Sequence, residues 1–66
     1  MTVFFIDSSG SWRNIAEVMT EEEANQEIQK FLEQHHYKSP YWRYWQENQY
    51  TMIDVGSHIE FFAIER

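Results

Sequence analysis

The sequence predicts a small α+β domain in which one helix packs on one face of an antiparallel sheet, with the elements in the order ββαβββ. Three observations support this fold class: one stretch with helical periodicity, several short runs of β-branched and aromatic residues, and short connections, which favour antiparallel neighbours. At 66 residues, the chain is expected to form a single domain over residues 1–66.

The first two elements are predicted to be strands, over residues 2–7 and 12–19. The first run, TVFFID, has four consecutive apolar residues, which is typical of a strand covered on both faces. We therefore place it inside the sheet, beside the C-terminal strand. In the second run the alternation is imperfect, and Asn14 and Glu17 indicate a partly solvated strand at an edge. Trp12 and Ala16 share one parity of this strand, which predicts that they share a face.

A helix is predicted over residues 21–36. Thr20 followed three residues later by Glu23 is the pattern of a capping box, in which each side chain accepts a hydrogen bond from the other residue's amide. The helix should end before Pro40, because proline disfavours helical geometry in the preceding residue. The stripe expected to pack on the sheet comprises Ala24, Ile28, Phe31, Leu32 and His35.

The C-terminal hairpin is predicted from Gly56 and Ser57, which separate two strand-like runs at residues 50–55 and 58–64. Glycine in the first of two turn positions suits a type II′ hairpin. The turn then fixes which residues lie opposite one another. The predicted pairs are Val55 with His58, Asp54 with Ile59, Ile53 with Glu60 and Met52 with Phe61.

The preceding turn at residues 48–49 determines a candidate polar cluster. A loop of even length would place Trp45 opposite Met52 and Arg43 opposite Asp54, whereas an odd length would exchange the two faces of the strand. The even register makes Arg43 and Asp54 an ion pair. A structural role for this pair is preferred to a ligand pocket, because opposite charges across strands are ordinary sheet stabilisers.

The sheet face away from the helix is predicted to be an interaction surface. It would expose more apolar area than a small monomer usually leaves in water, and a twofold contact between identical patches is a common way to bury such area. We therefore expect a homodimer or a complex with another protein. The predicted surface comprises Trp42, Tyr44, Ile53, Val55, His58 and Phe62.

The net charge of −6 argues against direct binding of nucleic acid, because affinity for phosphates comes mainly from clustered Lys and Arg. An alternative function uses the acidic start of the helix, which would imitate a row of phosphates and inhibit a nucleic-acid-binding enzyme. Each glutamate there also has a local role at the positive end of the helix dipole. The candidate acidic patch comprises Glu21, Glu22, Glu23 and Glu27.

No catalytic site, cofactor or metal centre is predicted, so the expected function is a non-enzymatic protein-interaction module. Asp54, Ser57 and His58 are the residue types of a hydrolytic triad, but a two-residue turn would direct Asp54 and His58 to opposite faces. His35 and His36 diverge by about 100° on a helix and cannot both face one ion. The chain has no cysteine for a disulfide or a Cys-based zinc site.

The N-terminal ten residues lack the basic region and long apolar core of a signal peptide. No apolar run approaches the length needed to cross a bilayer. These features predict a soluble, cytoplasmic protein without a membrane partner.

Three segments resemble a group of small uncharacterised proteins of Gram-positive bacteria and their phages. They are Tyr37-Lys38-Ser39, Tyr44-Trp45 and residues 54–62, which read DVGSHIEFF. The resemblance spans most of the chain but includes no motif of known chemistry, so it implies no catalytic residue. It implies an origin in a mobile element and a role as an accessory protein that binds a host or defence protein.

Overall fold

The computed structural model describes residues 1–37, 41–57 and 59–66, in which one helix and five antiparallel strands follow the predicted order ββαβββ. The strands are β1 (Thr2–Ile6), β2 (Trp12–Glu17), β3 (Arg43–Glu47), β4 (Tyr50–Asp54) and β5 (Phe61–Glu65), and the helix is α1 (Glu21–Gln34). The strand order in the sheet is β2-β1-β5-β4-β3. The predictions that the first strand lies inside the sheet beside the C-terminal strand, and that the second lies at an edge, are confirmed.

The start of α1 has the predicted capping box. The Thr20 hydroxyl accepts a hydrogen bond from the Glu23 amide at 3.1 Å, and the Glu23 carboxylate accepts one from the Thr20 amide at 3.1 Å. These bonds satisfy amides that have no partner within the helix. The helix then buries three residues of the predicted stripe, Ala24, Ile28 and Leu32.

The end of α1 lies at Gln34 rather than at residue 36. His36 has a left-handed φ of 55°, and its amide donates to the carbonyl of Glu33 while the Tyr37 amide donates to the carbonyl of Leu32. This pair of bonds is a Schellman motif, which is usually formed with glycine at the left-handed position. The prediction missed the boundary because histidine is an uncommon residue there.

Strands β3 and β4 pair in the register expected for a loop of even length, with Arg43 opposite Asp54 and Trp45 opposite Met52. The turn between them is two residues long. It begins at Asn48, whose φ is 57°, while the φ of Gln49 is not positive. A positive φ at the first turn position alone is the pattern of a type II′ turn.

Strands β4 and β5 pair in a register that differs from the prediction. Asp54 lies opposite Phe61 rather than Ile59, Ile53 opposite Phe62 rather than Glu60, and Met52 opposite Ala63 rather than Phe61. The predicted pair of Val55 with His58 cannot be compared, because His58 is outside the described residues. The connection therefore covers residues 55–60 and is not a two-residue hairpin.

Side chains within this connection explain its length. The Asp54 carboxylate accepts a hydrogen bond from the Gly56 amide at 2.8 Å. The Ser57 hydroxyl accepts one from the Glu60 amide at 2.7 Å and donates one to the Glu60 carbonyl at 2.6 Å. Local bonds from Asp and Ser side chains compete with strand pairing for the backbone groups. The longer loop is stable because these bonds replace the pairs of a tight hairpin.

The helix covers one face of the sheet, which we call the covered face. Its buried core comprises Val3, Ala24, Ile28, Leu32, Ile53, Val55, Phe62 and Ile64. We call the opposite side the open face. Its apolar members on the strands are Phe4, Ile6, Trp12, Trp45, Tyr50, Met52, Phe61 and Ala63. The prediction that the helix leaves Ile53, Val55 and Phe62 uncovered is therefore wrong.

A bulge in β2 changes the face of its side chains. Val3 pairs with Ala16 and Phe4 pairs with Asn14, so Ile15 is an extra residue on β2. Because the extra residue shifts the parity, Trp12 lies on the open face, whereas Ala16 packs against the covered core. The prediction that they share a face is wrong.

Candidate functional site

The open face has a buried apolar floor. Ile6, Met52 and Ala63 are buried there, and the partly buried rings of Phe4, Tyr50 and Phe61 pack against them. Ala63 is the smallest of these residues and lies between Phe4 and Met52 in the register. The buried side chains thus extend from β1 across β5 to β4.

Aromatic rings form the upper layer of the open face. Trp12 lies 5.4 Å from Phe4 and 5.0 Å from Tyr50 between ring centroids, both in edge-to-face arrangements. Trp45 lies 6.1 Å from Phe61, also edge to face. Trp12 is 45% exposed and Trp45 is 38% exposed. Large aromatic side chains held in place by other rings are the typical anchors of protein interfaces.

One end of the open face carries the predicted Arg43–Asp54 ion pair. An Arg43 guanidinium nitrogen donates to a carboxylate oxygen of Asp54 at 3.0 Å. Asp54 is 1% exposed, while the side chain of Arg43 is 63% exposed. The other carboxylate oxygen of Asp54 accepts the Gly56 amide. This arrangement joins β3, β4 and the 55–60 loop, and it supports the structural role preferred from the sequence.

The opposite end of the open face carries three carboxylates, and the Arg66 guanidinium and the Met1 ammonium donate to backbone carbonyls beside them. One row of the register runs from Glu17 through Thr2, Glu65 and Tyr50 to Glu47. The Glu17 carboxylate accepts from the Thr2 hydroxyl at 2.7 Å, and the Glu47 carboxylate accepts from the indole of Trp45 at 3.3 Å. The aromatic layer is thus bordered by three carboxylates at this end.

The surface predicted from the sequence lies on the covered side. Ile53, Val55 and Phe62 are buried in the main core, and Trp42 is partly buried against it. His58 is outside the described residues. These positions do not form a common exposed surface.

Tyr44 is the exposed residue among the described members of that predicted surface. Its hydroxyl donates to the side-chain oxygen of Asn25 on α1 at 3.4 Å. Partial burial, and secondly the negative charge of Glu21, raise the pKa of Tyr44 above its ordinary value. Tyr44 therefore joins the β3 edge to the helix.

The candidate acidic patch has two different parts. Glu23 is used in the capping box, and Glu27 pairs with Lys30 at 3.2 Å. Glu21 and Glu22 are exposed in the first turn of α1. Of the four predicted carboxylates, those of Glu21 and Glu22 take no part in the capping box or in the pair with Lys30.

A cavity of about 160 Å³ lies between the end of α1 and the 55–60 loop. Its walls are mainly apolar, with Phe31, Val55 and Phe62 among them, and His35 stacks on Phe31 at 4.2 Å. Ser57 also lines this cavity, and its hydroxyl is bonded to the loop backbone. These bonds give Ser57 a structural role.

Within the described residues, no group of three or more His, Cys, Asp or Glu side chains is arranged to hold a metal ion.

The sequence contained two signals that could have identified the open face. Ser57 and Glu60 have the spacing of a capping pattern, S-x-x-E, which indicates a locally bonded loop rather than a tight turn. Charged residues on the parity of Asp54 and Glu65 indicate the more solvated face of β4 and β5. The β2 bulge that brings Trp12 to this face had no clear signal in the sequence.

Comparisons with known proteins identify no relatives. No family model matches the chain, and neither a curated protein nor a solved structure is significantly similar to it. Within the described ranges 1–37, 41–57 and 59–66, no helix has the length and apolar character needed to span a membrane. The resemblance to small proteins of Gram-positive bacteria and their phages stays a prediction.

Proposed function

We propose that the protein is a non-enzymatic interaction module that binds another protein through its open face. The observation that carries this proposal is the layer of aromatic rings over a buried apolar floor, with Trp12 and Trp45 still 45% and 38% exposed. Rings that are already fixed by edge-to-face contacts lose little conformational entropy when a partner covers them. The open face is therefore suited to binding without rearrangement.

Charge supports a particular chemistry for the partner. The aromatic layer ends at Glu17, Glu47 and Glu65, and the chain has a net charge of −6. Charge complementarity favours a partner segment whose apolar side chains are flanked by Lys or Arg. We propose such a segment on a host or defence protein, with this protein acting as a phage or mobile-element accessory. The accessory role rests on the sequence resemblance.

The test is a selection of binders from a displayed random peptide library, using the intact protein. Selected peptides should combine aromatic or aliphatic residues with flanking basic ones. Trp12→Ala or Trp45→Ala should weaken the binding of a selected, labelled peptide about tenfold, as for the anchors of other interfaces. Met19→Ala is the matched control, because it removes a more exposed apolar side chain that lies outside the strands. Circular dichroism and urea midpoints would show whether each variant is folded.

The same experiment separates the proposal from nucleic-acid mimicry. If peptide binding is lost only on neutralising Glu21 and Glu22, with Trp12→Ala unaffected, the acidic patch is the binding surface and the open-face proposal is wrong. Binding through the acidic patch should also fall steeply with salt, since exposed charges are screened over about 8 Å at physiological ionic strength.

The absence of enzymatic activity is a separate part of the proposal. We expect no turnover in a panel of hydrolase and nuclease substrates. Turnover that disappears in His58→Ala, with the fold retained by circular dichroism, would overturn this part without affecting the binding experiment.

A further inference from the structure

The two edges of the sheet differ in how they are protected. Edge strands carry unpaired backbone groups that can pair with another chain, and a bulge is one of the features that prevents such pairing. The β2 edge has its bulge at Ile15. The β3 edge, Arg43–Glu47, pairs with β4 without interruption, and all five of its residues are exposed. The β3 edge is therefore the regular one.

The turn at Asn48 fixes which backbone groups of β3 point outward. Glu47 and Tyr50 flank this two-residue turn and form the hydrogen-bonded pair that closes it. Such pairs alternate along an antiparallel ladder. The backbone groups of Trp45 and Arg43 are therefore directed to β4. Those of the two intervening residues, Tyr44 and Gln46, are directed to the free edge.

The sequence of this edge is complementary to itself. An antiparallel copy centred on Trp45 would place Arg43 opposite Glu47 of the second copy, Tyr44 opposite its Gln46, and Trp45 opposite its Trp45. The Tyr44–Gln46 pairs would be hydrogen bonded. The others would be non-hydrogen-bonded pairs, in which side chains lie closer. Opposite charges and aromatic rings are favourable cross-strand partners.

We propose that β3 pairs edge to edge with β3 of a second copy of this chain, in an antiparallel register centred on Trp45. The resulting ten-stranded sheet would join the two open faces into one surface. This inference goes beyond the proposed function, because it identifies a second copy as the partner of the edge while the open faces stay free.

The position of α1 leaves room for this pairing. The helix packs against β1, β2 and β5. In the paired sheet the two β5 strands would be about 24 Å apart, since five strand spacings of about 4.8 Å separate them. A helix with its side chains is about 10–12 Å wide, which is less than this separation.

Arg43 can contact Glu47 of the second copy and keep its bond to Asp54. Its side chain is largely exposed and has more donors than that bond uses. The edge contact is small, so dimers should form with rising concentration rather than permanently.

Single cysteines test the register, because the chain has none of its own. Under mild oxidation Trp45→Cys should form a disulfide dimer about tenfold faster than Trp12→Cys, since only position 45 would face itself in a paired dimer. Trp12 is a matched control, being an equally large and slightly more exposed residue at the other edge. Tyr44→Cys and Gln46→Cys should each dimerise slowly alone and rapidly when mixed. Equal rates for Trp45→Cys and Trp12→Cys would overturn the proposal.

Sedimentation across a concentration series tests the same pairing without cysteine. Gln46→Pro removes an outward amide and should abolish the concentration-dependent dimer, whereas Gln46→Thr should retain it. Gln46 is not part of the open face, so Gln46→Pro should still bind the selected peptide, while Trp12→Ala should bind the peptide about tenfold more weakly but keep the dimer. A wild-type mass that stays monomeric at every concentration, or a dimer unaffected by Gln46→Pro, would overturn edge pairing and leave the open-face proposal standing.

Discussion

The two faces of the sheet are both apolar, yet they are built from different residue types. The covered face is mainly aliphatic, with Ile53, Ile64 and Val3 fully buried around Phe62 beneath α1. The open face is mainly aromatic, with Trp12 and rings such as Tyr50 packed edge to face. The polar atoms of Tyr and Trp are satisfied more easily beside water than beneath a helix. Apolar character alone therefore does not identify the face that a helix will cover.

Charge placement also separates the two faces. The acidic row that includes Glu17 and Glu47, and the Arg43–Asp54 pair, lie at the two ends of the open face. On the covered face, Arg13 lies over the rings of Phe5 and Phe31 at the β2 edge, and the buried strand residues of the covered core that the structure describes have no charged member. An interaction surface can have charged side chains at its border, where water reaches them. A core beneath a helix would have to bury such charges without partners.

Truncation of two adjacent phenylalanines in β5 gives the largest expected contrast. Phe62 is 1% exposed on the covered face, and its neighbour Phe61 is partly buried on the open face. Phe62→Ala should lower the free energy of unfolding by about 3–5 kcal/mol, a large part of the total for so short a chain. Phe61→Ala should lower it by about 1–2 kcal/mol, because less area is buried. Urea titrations followed by circular dichroism would measure both, and equal losses would show that the faces are equivalent.

Asp54→Asn tests the buried carboxylate at the end of the open face. It weakens the bonds to Arg43 and to the Gly56 amide, so we expect a loss of about 1–3 kcal/mol in the free energy of unfolding. Glu27→Gln is the control, since it removes the exposed pair with Lys30 and should change stability by less than about 0.5 kcal/mol. Equal effects in urea titrations would contradict a structural role for Asp54.

Thr20→Ala tests how far the helix start supports the covered face. The variant removes the side chain that accepts the Glu23 amide and should lower the free energy of unfolding by about 1 kcal/mol. Glu23→Gln is the conservative control, because glutamine can also complete a capping box. Thermal unfolding would measure both. A larger loss in Glu23→Gln would mean that the glutamate charge matters more than the cap.

The smallest expected effect is a pH dependence at Tyr44, on the helix side of β3. Burial and Glu21 raise its pKa in the folded protein above the ordinary value of 10.0. The unfolded chain therefore loses this proton first as the pH rises, so this contribution to stability is present below about pH 10 and is lost above it. Urea midpoints of the wild type should fall more steeply between about pH 9 and pH 11 than those of Tyr44→Phe. Parallel curves would exclude this contribution.

Local sequence was sufficient where a structural feature depends on a few neighbouring residues. The capping box of Thr20 and Glu23 was predicted because its bonds span only three residues. The register of β3 on β4 was predicted only for a loop of even length, and the two-residue turn has that length and brings Arg43 to Asp54. The order of elements followed from periodicity and connection lengths in the same way.

The predicted register of β4 on β5 was wrong, because by composition Gly56 and Ser57 fit a two-residue turn as well as they fit a longer loop. The wrong register placed Glu60 on the face of Ile53 and made that face look partly polar. In the structure Glu60 lies in the loop, and Ile53 lies opposite Phe62 in the covered core.

The sequence by itself determined which side chains of β4 and β5 share a face, because alternation is a property of the strand and a two-residue slip does not change it. Only the tertiary structure decided which face receives α1. Four antiparallel pairings separate β2 from β3, so these edge strands run parallel and α1 connects them as a crossover. Such crossovers are right-handed, and this rule selects a face only when the positions of both strands are known. Those positions depend on pairings between distant parts of the chain, which no local pattern specifies.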